Sequence, residues 1–329
     1  MSPGDGAVAA PQEHVATFPE LFDRIAGNIA QVIQGKNEVI ELVVLCLVAE
    51  GHLLLEDVPG VGKTSLAKAL AASIDGEFGR MQFTPDLLPS DVVGVSVFDR
   101  GTSRFEFRPG PVFANVVLAD EINRASPKTQ SALLESMAER QVTVDGQTHL
   151  LAPPFLVIAT QNPIEHEGTY PLPESQLDRF LMRVSMGYPS RDDELAILSA
   201  HAEDDVLDSI RPVVTAADVH AMANAVKGVH VAPALATYLV DLAVATRRHP
   251  AIALGMSPRA TLNLQRVTRA RAAAAGRTYV TPDDVKALVT PVIGHRILVT
   301  PEAQLGGVTS ADALADVLRS VPIPTSAPA

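Results

Sequence analysis

Glu56-Asp57-Val58-Pro59-Gly60-Val61-Gly62-Lys63-Thr64 is the stretch of the chain that decides its fold. It ends an apolar segment at residues 52–56, which is typical of a short buried strand, and it leads into a helix predicted over residues 64–74. Backbone N–H groups of such a glycine-rich loop converge on phosphate oxygens, and the start of the helix adds a favourable dipole. The order of strand, loop and helix therefore predicts an α/β sheet with a phosphate-binding loop.

The side chains of this loop have separate expected tasks. Lys63 can reach the β- and γ-phosphates of a nucleotide, and the hydroxyl of Thr64 can ligate Mg²⁺. The usual form of the motif has a glycine where this chain has Asp57, so the prediction also rests on the strand and the helix around the loop. The predicted nucleotide-binding residues are Pro59, Gly60, Val61, Gly62, Lys63, Thr64 and Ser65.

A second apolar segment, residues 116–119, runs directly into Asp120 and Glu121. Continuous apolarity is typical of a strand buried on both faces of a parallel sheet, and the carboxyl ends of such strands face the crevice where ligands bind. Asp120 is predicted to hold the metal ion through water, and Glu121 to polarise the attacking water. Asn162 follows a third such strand, residues 155–160, where its amide is placed to orient that water or to touch the γ-phosphate. A turn-forming asparagine before a proline explains it equally well.

Two arginines are candidates for stabilising the transition state. Arg179 lies near the predicted rim of the α/β domain, and Arg259 lies in the first turn of a helix that begins at Ser257 and Pro258. Phosphoryl transfer builds negative charge on the γ-phosphate, and an arginine delivered from outside the pocket is worth roughly 10³–10⁵ in rate. Most surface arginines are simply solvated, so the residues alone leave both roles open.

The overall pattern divides the chain into two domains. Residues 1–13 form a Gly-, Pro- and Ala-rich arm that is expected to be flexible. Residues 14–188 are predicted to be an α/β nucleotide-binding core, and residues 189–329 an all-helical lid. Within the core, apolar residues at helical spacing predict a helix from residue 18 to Gly35, and a buried helix follows over residues 37–50.

Two β-hairpins are predicted within the core. The first lies in an insertion between residues 83 and 115, where Phe105 and Phe107 alternate with charged residues. The second covers residues 142–150 and turns at Asp145-Gly146, which is a strong signal for a two-residue turn.

Composition excludes several classes of function. Acidic residues outnumber basic residues by 38 to 26, and the resulting net charge of −12 opposes a surface built mainly for nucleic acid. The single cysteine, Cys46, excludes a disulfide within the chain and a zinc site of several cysteines, and its apolar neighbours predict a buried, unreactive thiol.

The longest apolar run, residues 40–49, is far shorter than the roughly 20 residues that cross a bilayer. With no secretory signal visible in residues 1–12, we expect a cytoplasmic protein without a membrane span.

Several short motifs follow one another in order along the chain. Besides the stretch at residues 56–64, they are Asp120-Glu121-Ile122-Asn123-Arg124-Ala125, Thr160-Gln161-Asn162-Pro163, Gly168-Thr169-Tyr170-Pro171-Leu172-Pro173-Glu174, Leu177-Asp178-Arg179-Phe180 and Ser257-Pro258-Arg259. Together they resemble the MoxR family of AAA+ ATPases. The resemblance covers nearly the whole chain, from about residue 18 to residue 324.

The resemblance implies that the first domain binds ATP together with Mg²⁺. Lys63 and Thr64 correspond to the Walker A motif, which holds the phosphates and the metal. Asp120 and Glu121 correspond to Walker B. Asn162 corresponds to sensor 1.

The resemblance also implies assembly into a ring. Arg179 corresponds to the arginine finger that one subunit offers to its neighbour's nucleotide, and Arg259 to sensor 2, whose action within or between subunits stays open. Residues 83–115 correspond to the helix-2 insertion and residues 142–150 to the pre-sensor-1 hairpin, which line or approach the central pore in related rings. The implied protein is a ring homo-oligomer, expected as a hexamer. It would use ATP to mature or activate a protein partner, often with a protein that has a von Willebrand factor A domain.

Other motor classes share this architecture. A DNA-translocating motor needs basic pore residues, whereas the second predicted hairpin has Asp145 and no lysine or arginine beyond Arg140 at its base. A chelatase-type motor subunit has a closely similar module, and the residues do not decide against it. The intact Walker and sensor residues oppose a nucleotide switch without hydrolysis, and the lack of an Asn-Lys-x-Asp motif opposes GTP.

Overall fold

The computed structural model of the chain describes residues 17–162, 169–200 and 206–324; the arm predicted at residues 1–13 lies outside them. The first part of the chain is an α/β core. Its helices and strands are α1 (Phe18–Ala30), α2 (Asn37–Val48), β1 (Leu53–Glu56), α3 (Lys63–Ser73), β2 (Phe78–Gln82), α4 (Pro89–Val93), β3 (Gly94–Asp99), β4 (Arg104–Pro109), β5 (Val116–Asp120), α5 (Pro127–Glu139), β6 (Gln141–Val144), β7 (Gln147–Leu150), β8 (Leu156–Gln161), α6 (Glu174–Leu177) and β9 (Met182–Val184).

Five parallel strands form the central sheet in the order β2-β5-β8-β1-β9. The side chains of β1 alternate between its two faces: Leu53 and Leu55 join the apolar cluster that contains α2 and α3, and Leu54 joins the cluster that contains α5. Helices therefore cover both faces, which is why the middle strands are apolar throughout. The predicted α/β fold is confirmed, and the parallel order brings all the carboxyl ends to one edge of the sheet.

Both predicted hairpins are present. β3 pairs with β4 and β6 pairs with β7, each in antiparallel fashion. Asp145 and Gly146 have φ values of 50° and 77°, the left-handed conformation that their two-residue turn requires. Phe98 and Phe105 oppose each other near the tip of the first hairpin and are 49% and 72% exposed.

The second part of the chain is a helical lid that packs on the core. Val219 and Leu264 of the lid belong to the same apolar cluster as Ile40 of α2, so one continuous core joins the two parts. The helices and strands of the lid are α7 (Arg191–Ala200), α8 (Val206–Ser209), α9 (Ala216–Lys227), α10 (Pro233–Arg248), β10 (Ile252–Leu254), α11 (Pro258–Ala274), α12 (Pro282–Ile293), β11 (Leu298–Val299), α13 (Pro301–Leu305) and α14 (Ser310–Ser320).

Two predictions differ from the structure in detail, one in the end of α1 and one in the content of the lid. α1 ends at Ala30 and the chain continues as turns to Gly35, where the helix was predicted to end. Ile33 is nevertheless buried, because the apolar side chains of the segment after the helix continue to pack against the core. The lid, predicted as all-helical, also contains an antiparallel ribbon of β10 and β11, whose strands are too short to show a periodic pattern.

The edge strand β2 was not predicted from the sequence. Of its residues, Gly79 and Met81 are buried, whereas Arg80 and Gln82 are exposed. Because one of the two buried positions is a glycine, the five residues do not show the alternation of apolar and polar side chains that identifies a strand. Its position beside β5 is decided by tertiary pairing, and it brings two polar side chains to the carboxyl edge of the sheet.

Cys46 lies on α2 and has no exposed surface. Burial raises the pKa of its thiol to about 12, so the nucleophilic thiolate is not populated at neutral pH. The prediction that Cys46 is buried is confirmed, and the raised pKa agrees with an unreactive thiol.

Candidate functional site

The phosphate loop leaves β1 at its carboxyl end and enters α3 directly. Gly60 and Gly62 have φ values of 84° and 91°, in the left-handed region that favours glycine, and this lets the loop turn tightly. Gly62 is the N-cap of α3, so the helix begins at Lys63 and its first N–H groups have no partner within the helix. The local sequence thereby builds an anion-binding site at a helix start.

A cavity of about 400 Å³ lies over this loop and over the carboxyl ends of β5 and β8. Asp120 and Glu121 at the end of β5 and Asn162 after β8 line it together with the loop. The structure therefore brings together candidates from three separate segments of the sequence. The residues that line the cavity are Pro59, Gly60, Gly62, Lys63, Thr64, Ser65, Arg80, Asp120, Glu121 and Asn162.

A second, more apolar cavity of about 260 Å³ adjoins the first, and the two share Gly60, Gly62 and Ser65. Val61 and Met186, the latter in the segment after β9, line this second cavity and do not line the first. Its apolar walls fit a planar base, whereas the first cavity, with its amides and cation, fits phosphates.

Asp57, the departure from the usual loop motif, connects the loop to the segment after β9. Its carboxylate is buried and accepts hydrogen bonds from the hydroxyl of Ser185 at 3.2 Å and from the backbone N–H groups of Met186 and Gly187. Its backbone carbonyl accepts a hydrogen bond from Nζ of Lys63 at 2.9 Å. The aspartate thus fixes one end of the loop, and the lysine amine has a partner that a phosphate can replace.

The carboxylate of Asp120 is held on both oxygens. Oδ1 accepts a hydrogen bond from the hydroxyl of Thr160 at 2.7 Å, and Oδ2 pairs with the guanidinium of Arg80 at 3.0 Å. The Thr160 hydroxyl also accepts a hydrogen bond from the backbone N–H of Glu121 at 2.9 Å. Thr160 on β8 therefore sets the position of the whole acidic pair on the neighbouring strand.

Glu121 is held in one direction by two donors. Its Oε2 accepts a hydrogen bond from Nε2 of Gln82 at 2.9 Å and lies 3.2 Å from Nε of Arg124. The residue itself has a φ of 56°, which is unusual for a side chain larger than glycine. Together the two donors fix the direction of the carboxylate.

Arg80, Gln82 and Thr160 are site residues that the sequence analysis missed. The two β2 residues flank the buried Met81, so polar side chains on one face of a short strand were the available signal. Polar residues in this pattern indicate a site only once the strand is known to lie beside Asp120. The pairing of β2 with β5 gives it that position.

The chemistry of the cavity fits a magnesium ion shared with a nucleotide. The hydroxyl of Thr64 and the carboxylate of Asp120 line the same cavity and offer the oxygen donors that Mg²⁺ prefers. Among the described residues, no group of three or more His, Cys, Asp or Glu side chains is placed to hold a metal. A magnesium ion held through Thr64 and Asp120 would take its remaining ligands from phosphates and water.

Arg179 and Arg259 line neither of these cavities. They line a separate cavity of about 200 Å³, together with Gly51 and Leu181. Gly51 precedes β1 and Leu181 precedes β9, so this cavity lies at the amino ends of strands whose carboxyl ends face the phosphate loop. The structure thus brings the two arginines together but places them across the sheet from Lys63.

The same arginine-lined cavity contains a charge network around Glu50. Arg140 donates to Oε1 of Glu50 at 2.9 Å, while Arg266 and Lys227 each lie 3.4 Å from Oε2. Burial opposes the charge of this carboxylate, but the hydrogen bond from Arg140 and the surrounding cations outweigh it and lower the pKa of Glu50. Since four arginines and one carboxylate line the cavity, it keeps an excess of positive charge.

Residues 52–182 match the family described as "ATPase family associated with various cellular activities (AAA)", and residues 244–317 match the AAA lid domain. Chaperone MoxR1 of Mycobacterium tuberculosis is 38% identical over 332 residues, which cover 98% of this chain and 88% of the relative. The chain belongs to the MoxR family of AAA+ ATPases.

Two further proteins are similar to this chain over more than nine-tenths of its length. The uncharacterized protein YeaC of Bacillus subtilis is 47% identical over 304 residues, or 92% of this chain and 95% of the relative. A crystal structure of a protein from Cytophaga hutchinsonii superposes with a TM-score of 0.88 at 38% identity, covering 94% of this chain and 96% of that one. Across the part of this MoxR chain that the structure describes, no helix combines the length and apolarity needed to cross a bilayer.

Proposed function

We propose that this MoxR-family chain hydrolyses ATP to ADP and phosphate and uses the energy to remodel a protein partner. The observation that carries the proposal is the single cavity in which Lys63, Asp120, Glu121 and Asn162 meet over an anion-binding loop. A lysine, two carboxylates and an amide converging on a helix start are the set that phosphoryl transfer to water requires.

Each of these residues has a task in hydrolysis. Lys63 exchanges the carbonyl of Asp57 for the terminal phosphates. Glu121 accepts a proton from a water whose oxygen attacks the γ-phosphorus, while the bond from that phosphorus to the bridging oxygen breaks and ADP leaves; Asn162 orients that water. Magnesium, held through Thr64 and Asp120, would neutralise the charge that develops on the phosphates.

The position of Arg179 and Arg259 supports assembly into a ring. β1 has four residues and is therefore about 13 Å long, and the two arginines lie beyond its amino end. Neither side chain lines the phosphate-loop cavity of its own subunit. In a ring homo-oligomer, for which a hexamer is the proposed form, both arginines serve the nucleotide of the adjacent subunit.

A protein is the favoured partner, in the manner that the name Chaperone MoxR1 indicates for a relative. The first hairpin presents the exposed rings of Phe98 and Phe105, which suit an apolar segment of a client protein. The second hairpin carries no lysine or arginine within its strands, and the chain has a net charge of −12, so DNA is a poor ligand. A client associated with a von Willebrand factor A domain protein is the proposed partner class.

The test compares the parent with Glu121→Gln. We expect the parent to hydrolyse ATP only with Mg²⁺ present, and Glu121→Gln to bind ATP in calorimetry but to turn over at least about 100-fold more slowly. Glu135→Gln, an exposed substitution on α5, is the matched control and keeps the parental rate. ATP-loaded Glu121→Gln then serves as bait for the partner in a native lysate. Equal turnover by Glu121→Gln and the parent would refute the proposal.

A further inference from the structure

The guanidinium of Arg296, in the lid just after α12, is buried against the segment that carries Arg179. Its side chain is 2% exposed. Nη1 donates to the carbonyl of Leu181 at 3.0 Å, and Nη2 donates to the carbonyls of Asp178, at 3.2 Å, and Phe180. These carbonyls lie before and after Arg179 in the chain. One buried side chain of the lid therefore holds the backbone on both sides of the arginine.

Asp178 connects Arg296 to the second arginine of the cavity. Its Oδ1 accepts a hydrogen bond from Nε of Arg296 at 2.7 Å, and its Oδ2 lies 3.8 Å from Nε of Arg259. The Arg259 side chain is 54% exposed, so this outer contact is weak by itself. Its direction depends on a carboxylate that the buried Arg296 keeps in place.

Stability alone does not account for a buried guanidinium at this position. Burying an ion pair costs desolvation of both partners, and apolar residues of similar volume often replace such a pair without loss of stability. A planar fork with several donors can, however, fix several carbonyls at once, which an apolar side chain cannot do. His295 adds to the same contact by lying 3.1 Å from the carbonyl of Phe180.

We propose that Arg296 is a positioning residue that holds Arg179 and Arg259 as a pair for the nucleotide of the neighbouring subunit. The inference rests on the proposed function, in which both arginines act between subunits. Because Arg296 belongs to the lid and Arg179 to the core, the seating of the lid in one subunit controls hydrolysis in the next.

The first measurement is the ATPase rate of Arg296→Met. We expect kcat to fall about tenfold or more while KM for ATP stays within about twofold of the parent, because the nucleotide cavity lies elsewhere. Arg319→Met, a substitution of an exposed arginine on α14 that pairs with Asp316, is the matched control and keeps both constants. An unchanged kcat in Arg296→Met would overturn the inference.

The second measurement separates positioning from a merely structural role. Arg296→Met subunits have an intact nucleotide cavity, and Lys63→Ala subunits have an intact arginine pair. We expect an equimolar mixture to exceed the summed activity of the two separate variants, since each Lys63→Ala subunit supplies its arginines to an Arg296→Met neighbour. Arg179→Ala mixed with Lys63→Ala is the reference for such rescue.

The outcomes are distinguishable. Rescue with Arg179→Ala but not with Arg296→Met overturns the positioning role and leaves the proposed function intact. Failure of both mixtures refutes action between subunits itself. If Arg296→Met does not fold, as judged by its thermal unfolding, the isosteric Asp178→Asn takes its place: it weakens the same link from the core side, and the same loss of kcat and the same rescue are expected.

Discussion

The imidazole of His149 lies on the ring of Phe107, with centroids 4.0 Å apart and an interplanar angle of 16°. Phe107 belongs to β4 in the first hairpin and His149 to β7 in the second, so this stack fastens together two hairpins from distant parts of the sequence. The ring of Phe113 lies at 64° to that of Phe107, with centroids 5.5 Å apart, and packs against the apolar cluster that contains α5. We therefore expect the two hairpins to move as one unit.

Phe107→Ala should reduce the free energy of unfolding by about 2 kcal/mol, because it removes a partly buried ring and its stack. In a double-mutant cycle with His149→Ala, urea denaturation should give a coupling of about 0.5–1.5 kcal/mol. Phe105→Ala, at a ring that is 72% exposed, serves as the control and should cost clearly less. A coupling of zero would show that the hairpins are independent.

Gln82→Ala should raise the basal turnover of ATP. In the structure the Gln82 amide donates to Oε2 of Glu121, so this oxygen is already engaged and is less available to accept a hydrogen bond from the attacking water. Loss of one such exposed hydrogen bond, worth about 0.7 kcal/mol, corresponds to a roughly threefold increase in kcat. Steady-state kinetics test this, with the exposed Gln147→Ala as control. A decrease in kcat would instead show that Gln82 holds Glu121 in its productive direction.

Arg179→Ala should lower kcat about 10³-fold and leave the affinity for ATP unchanged, since Arg179 does not line the nucleotide cavity of its own subunit. Calorimetry gives the affinity and a phosphate-release assay gives the rate. The parental rate per subunit should rise with protein concentration as rings assemble. A rate that is independent of concentration and unaffected by Arg179→Ala would contradict the assignment.

Acid should destabilise the protein through His52 before most carboxylates titrate. The ring is buried between the carbonyl of Met137 and the N–H of Val157, and burial lowers the pKa of His52 from 6.5 to about 3. Above pH 6.5 the ring is neutral in both states, whereas between pH 6.5 and about 3 only the unfolded chain takes up the proton. The free energy of unfolding should therefore fall by about 2 kcal/mol from pH 7 to pH 5 on account of this ring.

Burial also lowers the pKa of His295 well below its ordinary value, so this ring adds to the effect in the same direction. Denaturation at several pH values tests the sum. His52→Gln should reduce the dependence above pH 5 to the part that His295 contributes, whereas His220→Gln, at an exposed position on α9, should leave it as it is. An identical slope in His52→Gln and the parent would exclude the buried ring as the source.

The sequence by itself determined the local features of this protein. The phosphate loop, the turn at Asp145-Gly146 and the N-cap at Ser257 depend on backbone angles and hydrogen bonds between residues that are neighbours in the chain. Such features can be derived from residue type and spacing, because their partners lie within a few positions. The apolar middle strands were predictable for a related reason, since burial on both faces leaves a continuous apolar run.

Only the tertiary structure decided which distant side chains meet. The place of β2 at the edge of the sheet brings Gln82 to Glu121, and the packing of the lid brings Arg296 to Asp178. Each of these contacts joins residues that are far apart in sequence. The residues next to a polar side chain in the sequence do not indicate which distant partner it will contact. Their geometry follows from the order of the strands and from the packing of the lid on the core. Both are fixed only when the apolar surfaces of the whole chain are buried together.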